Sequence, residues 1–104
     1  MKKIEAIIKP FRLQNVKAAL NRAGIELMTI SEVKRFDSHT AHTEMYRGSE
    51  YVVDSSPQFK IELILPNDRF HSAIAAIAGS HDSAKTNEDK VFVYNVDEAI
   101  CFQS

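Results

Sequence analysis

Four segments with alternating apolar residues, interleaved with two in which apolar residues recur every three or four positions, leave this chain very few folds. Between Lys2 and Lys9, Ile4, Ala6 and Ile8 share one face and charged residues fill most of the other, the period of a half-buried strand. Pro10 ends it. Leu13, Val16, Ala19, Leu20 and Ala23 then recur at helical spacing, and Gly24 supplies a left-handed stop. Leu27 to Phe36 reads as a second strand whose alternation is blurred by Ser31 and Glu32. Phe59, Ile61, Leu63 and Leu65 alternate in a third, closed by Pro66. Asn67 or Asp68 is placed to cap a second helix, which carries Phe70, Ala73, Ile74 and Ile77 on one stripe and ends at Gly79. Val91 to Val96 gives a fourth strand, and Ala99 to Phe102 reads as a short fifth.

The order β-α-β-β-α-β specifies an α+β, ferredoxin-like sandwich. Two helices cover only one face of a four-stranded sheet. The other face is expected to carry Ile7, Ile64, Phe92 and Tyr94, too apolar a set to leave in water, so self-association is expected. A chain of 104 residues is too short for two cores and reads as a single domain over 1–104. Its net charge of -1 weighs against nucleic-acid binding and against attachment to anionic membranes. One cysteine, Cys101, fits a reducing compartment, and no apolar run suits a signal peptide or a bilayer span. The expectation is a cytoplasmic protein with no direct membrane insertion.

Two polar segments remain. Residues 37–56 form a connection far longer than a hairpin needs, and 79–89 lacks apolar anchors. The first is expected to be mobile in the free chain, with rapid amide exchange, and to serve function.

The tract His42-Thr43-Glu44-Met45-Tyr46-Arg47-Gly48-Ser49-Glu50-Tyr51 closely resembles the signature loop of the PII signal-transduction proteins, trimeric regulators of nitrogen metabolism. Met1 to Phe11, Met28 to Lys34 and Lys60 to Glu62 are similar to the same family, and the match runs without gaps from Met1 to about Gln103. The resemblance implies a homotrimer with sheets packed around a three-fold axis, which supplies the cover that the second face requires. It implies ATP or ADP in clefts between subunits, 2-oxoglutarate beside MgATP, and a long loop that docks on a protein target such as a transporter or metabolic enzyme. It implies a ligand cleft built from Thr29, His39, Gln58, Glu62, Lys90 and Phe92, and a docking surface of Tyr46, Arg47, Glu50 and Tyr51. Tyr51 matches the position uridylylated in many members, and Ser49 a serine phosphorylated in others. An unmodified docking loop is the preferred reading, because the nucleotide site is altered.

The departures cluster on that site. The family's glycine-rich phosphate cradle has become Asn87 and Asp89 around Glu88. Its two C-terminal arginines are Cys101 and Gln103, and a loop lysine is Gln58. Two glycines, an arginine and a glutamine at the loop base are Arg35, Asp37, Ser38 and His39. Nucleotide binding is therefore expected to be weakened or lost. The alternative is a sensor of a different small ligand or metal ion. His39 and His42 form a His-x-x-His pair, with Glu44, His81 and Asp82 as further donors suited to zinc, nickel or copper. Two histidines in a loop are a weak metal signal, and Cys101 reads as a packing residue.

Other uses of the topology fit less well. An acylphosphatase needs a phosphate-binding turn after the first strand, where Lys9-Pro10-Phe11 stands instead. An RNA-binding sheet needs a basic surround for Phe92 and Tyr94, which is absent. A regulator that is not an enzyme is the expected function.

Overall fold

The computed structural model describes residues 1–36, 42–46, 49–53, 55–79 and 90–102, with backbone alone for 42–46, 49–53 and 55. Strand β1 (Lys2–Ile8) leads through a 3-10 turn, Pro10–Arg12, into helix α1 (Leu13–Arg22). Strands β2 (Thr29–Phe36), β3 (His42–Tyr46), β4 (Ser49–Val53) and β5 (Ser55–Leu65) follow, then helix α2 (Phe70–Gly79) and strand β6 (Lys90–Asn95). The main sheet has the order β2-β5-β1-β6 with every neighbouring pair antiparallel. This is the expected ferredoxin-like arrangement: β1 and β2 run parallel with β5 between them, as do β5 and β6 around β1.

The period-two pattern of β1 sets the core. Ile4, Ala6 and Ile8 are buried, and their partners Leu63, Ile61 and Phe59 on β5 face the same way. Val16 and Leu20 of α1 and Ala73 and Ile77 of α2 close over them. Fully burying the valine, leucine and isoleucine side chains of this set contributes about 1.5–3 kcal/mol each. Arg12 is buried as well, and its Nη2 donates to the Ile77 carbonyl at 3.2 Å. Its cation thus sits at the last turn of α2, a favourable end of the helix dipole.

Helix α1 stops at Gly24, as the sequence predicts. Gly24 has φ +84°, its N–H donates to the Asn21 carbonyl, and the Ile25 N–H donates to Leu20 at 3.0 Å. That pair of bonds is the Schellman closure, and Leu20 and Ile25 supply the apolar contact that accompanies it. Arg69 then crosses from the start of α2, donating to the Ala23 carbonyl at 3.0 Å.

Several boundaries differ from expectation. The Ala73 N–H bonds to the Arg69 carbonyl, so Arg69 occupies the N-cap of α2, and Asn67 and Asp68 lie in the preceding turn. No strand forms over 99–102, where the apolar residues Ile100 and Phe102 are exposed. Strand β5 begins four residues before Phe59, pairing Pro57 with Lys34 and Ser55 with Phe36. Pro57 is tolerated there because β1 pairing ends at Phe59, so no neighbour on that side requires its missing N–H. Part of the long connection is also regular: β3 and β4 pair in a two-stranded hairpin with Tyr46 opposite Ser49. Backbone pairing needs no apolar alternation, and the sequence pattern did not reveal it.

Gly24→Ala tests the turn. A Cβ there would force a left-handed conformation costing about 1–2 kcal/mol and would approach Arg69 Nη2 to 2.8 Å. The expected result is a melting temperature lower by roughly 4 °C or more. Unchanged stability would show that the left-handed turn is not required.

Candidate functional site

The open face of the sheet follows from strand register. Three rows cross it: Ile64–Lys3–Tyr94, then Thr29–Glu62–Glu5–Phe92, then Ser31–Lys60–Ile7–Lys90. Ile64 is 53% exposed, Phe92 45% and Tyr94 46%, so the face predicted to be apolar is uncovered in the protomer. Ile7 is half-buried on the same face. Val91 and Val93, on the other face of β6, are exposed too.

Two carboxylates, Glu5 and Glu62, stand directly opposite each other on β1 and β5. Like charges in that position are unfavourable unless bridged. Lys3 Nζ bridges them, 3.0 Å from Glu62 Oε2 and 3.2 Å from Glu5 Oε1. Lys60 Nζ is 3.7 Å from Glu62 Oε1, and the Tyr94 hydroxyl donates to Glu5 Oε2 at 3.4 Å. Hydrogen bonds to Glu62, then Glu5, raise the Lys3 ammonium above its ordinary value. The Lys3 hydrogen bond lowers the Glu62 carboxyl against the opposing effect of burial.

Two concavities flank this network. One, of about 530 Å³, lies between Thr29, Glu62 and Ile64 and the turn carrying Leu27, with Arg69 at its end. The other, of about 400 Å³, is lined by Ile7, Arg35, Gln58, Lys60, Lys90 and Phe92. Residues expected in one ligand cleft are therefore divided: Thr29 and Glu62 in the first, Gln58, Lys90 and Phe92 in the second. All five lie on the open face of the sheet, with Thr29, Glu62 and Phe92 in one row across the strands. His39, Arg47, Asn87, Asp89 and Gln103 lie outside the described residues. The backbone places Tyr51 opposite Glu44 and Glu50 opposite Met45 in the β3–β4 hairpin, with His42 at its far end. Among the described residues no three His, Cys, Asp or Glu side chains are grouped to hold a metal ion, and Cys101 is exposed. Among them, too, no helix is long and apolar enough to cross a membrane.

Lys3 and Lys60 were not singled out as ligand-site residues by the sequence, although the Lys3-x-Glu5 spacing on one strand face was legible. The Lys60-x-Glu62 spacing on one strand face was legible as an ion pair, expected between subunits and found within one strand, whereas the reach of Lys3 to Glu62 follows only from strand register.

The network predicts a definite pH dependence. The lowered Glu62 carboxyl stabilises the fold above its ordinary value of 4.5, and that contribution is lost as pH falls through the folded value below it. The raised Lys3 ammonium contributes below 10.5 and loses its contribution as pH rises through the folded value above it. Lys3→Gln is expected to lower the urea midpoint at neutral pH, with the deficit shrinking once the carboxylates protonate. An equal deficit on both sides of the carboxylate range would exclude this account.

Comparison with known proteins agrees with this architecture. The family model "Nitrogen regulatory protein P-II" matches residues 1–104. A nitrogen regulatory protein P-II from Rhodobacter capsulatus is 50% identical over 100 residues, 96% of this chain and 89% of the relative. Relatives with the same coverage include one from Mesorhizobium japonicum at 48% and nitrogen regulatory protein P-II 1 of Escherichia coli at 45%. With the family match spanning the whole chain over a four-stranded antiparallel sheet and two helices, this chain belongs to the PII nitrogen regulatory protein family.

Proposed function

We propose that this chain is a homotrimeric cytoplasmic regulator, not an enzyme, that controls a protein target in nitrogen metabolism through residues 37–56. The family match over the full chain carries this reading. The uncovered sheet face supports the trimer, since Ile64, Phe92 and Tyr94 need apolar cover. Both concavities that hold the cleft residues open on the uncovered sheet face, which supports a ligand site completed by a neighbouring subunit. Tyr46, Arg47, Glu50 and Tyr51 supply the docking surface, since Tyr and Arg are typical interface anchors. Ser49 and Tyr51 serve that surface without modification in this reading.

Nucleotide sensing is weakened or lost in this proposal. Ser38, Cys101 and Gln103 replace three arginines of the family pattern, while Asp37 and Asp89 add negative charge against a polyphosphate. Each charge-assisted hydrogen bond is worth about 1.5–3 kcal/mol, so three lost contacts remove at least ~4.5 kcal/mol, about a thousandfold in affinity.

Two measurements test the reading. Light scattering during size exclusion is expected to give about three times 11.7 kDa, and a concentration-independent monomer would overturn the trimer. Calorimetry is expected to find MgATP binding about a thousandfold weaker than in relatives that keep the arginines, with no rescue by 2-oxoglutarate. Tight MgATP binding would overturn the loss. Arginine at 101 and 103 with glycine at 87 and 89 is expected to restore measurable binding.

A further inference from the structure

We propose that the groove between helix α1 and the turn that follows it binds a free α-amino acid with a polar side chain, held by both of its charged ends. Gln14, Lys17 and Asn21 recur on one face of α1 and span about 10 Å of its length. The Schellman closure at Gly24 turns the chain back, so that Ile25 to Met28 forms the opposite wall. The groove is thus built from local structure within one protomer. It lies on the helix side of the sheet, and the turn separates it from the first concavity of the open face. Its volume of about 390 Å³ falls in the lower part of the range for small-molecule sites.

Four polar side chains rim this groove. Gln14, Lys17, Asn21 and Glu26 make no side-chain hydrogen bond or ion pair among the described residues. The charged residues of the open face are the opposite case, since Lys3, Glu5 and Glu62 already hold one another. Lys17, half-buried on α1, is matched to a carboxylate, and Glu26 on the turn is matched to an ammonium. They do not pair with each other, which leaves room for a ligand between them. Opposite charges on opposing walls complement a zwitterion, and neither a simple cation nor a simple anion satisfies both. The carboxamides of Gln14 and Asn21 each offer a donor and an acceptor, which suits a polar ligand side chain. Ile25, buried in the core, and Met28, packed against it, supply an apolar floor. Such a floor keeps water from one side of the ion pairs and strengthens them.

The test is calorimetric titration of the full chain, without nucleotide, with L-glutamine, L-asparagine, L-glutamate and L-leucine in separate arms. Glutaramate and γ-aminobutyramide, which keep the carboxamide of glutamine but only one charged end, are the controls. Saturable binding of at least one polar amino acid is expected, with L-leucine and both controls about tenfold weaker or more. Lys17→Met and Glu26→Gln are each expected to weaken it about tenfold or more. Arg22→Gln, on α1 outside the groove, is expected to leave it unchanged. No saturable binding in any amino-acid arm would overturn the proposal. So would binding of L-leucine or of either control as tight as that of the polar amino acids. Affinity unchanged in the folded Lys17 and Glu26 variants would overturn it too, as would an equal loss in Arg22→Gln, which would reduce the effect to overall charge.

Discussion

In-register pairing of β1 with β5 decides which residues meet on each face of the sheet, and most other features follow from it. Ile4 opposite Leu63 and Ala6 opposite Ile61 build the floor of the core under both helices. The same register sets Glu5 opposite Glu62 and Ile7 opposite Lys60 on the other side. A slip of one residue would exchange the faces, burying Lys3 and Glu5 and exposing Ile4 and Ala6. The buried residues hold the register, and the register then arranges the charged residues.

Those charges divide the open face into two electrostatic regions. Around Lys3 the charges are balanced: two carboxylates and two ammoniums lie within 3.7 Å of a partner, with the Tyr94 hydroxyl added. A balanced cluster suits a surface covered by another subunit, because burying paired charges costs far less than burying one alone. Toward Arg35 and Lys90, cationic side chains outnumber carboxylates among the described residues.

Much of the architecture was legible in the residues. Alternation in Ile4-Ala6-Ile8 and in Phe59 to Leu65 marked the inner strands, because burial on one side leaves a clear pattern. Gly24 announced the end of α1, since few other residues adopt φ +84°. The hairpin β3–β4 and the early start of β5 were not legible, because their ladders are made by backbone groups and leave little trace in polar sequence. The cap of α2 was missed for a related reason: a turn from Pro66 to Arg69 delays the helix past the two residues best suited to cap it. Ile100 suggested a fifth strand by composition, yet the segment has no partner strand in the sheet.

The sequence alone determined the order of the main elements, the apolar character of both sheet faces, and the family resemblance carried by His42 to Tyr51. These are local or periodic properties, written in neighbouring residues. Tertiary structure decided that Lys3 bridges Glu5 to Glu62, and that Thr29, Glu62 and Phe92 share one row across the open face. It also decided that Lys60 and Lys90 face each other across Ile7. Such relations join residues tens of positions apart, and only the pairing of whole strands brings them within reach.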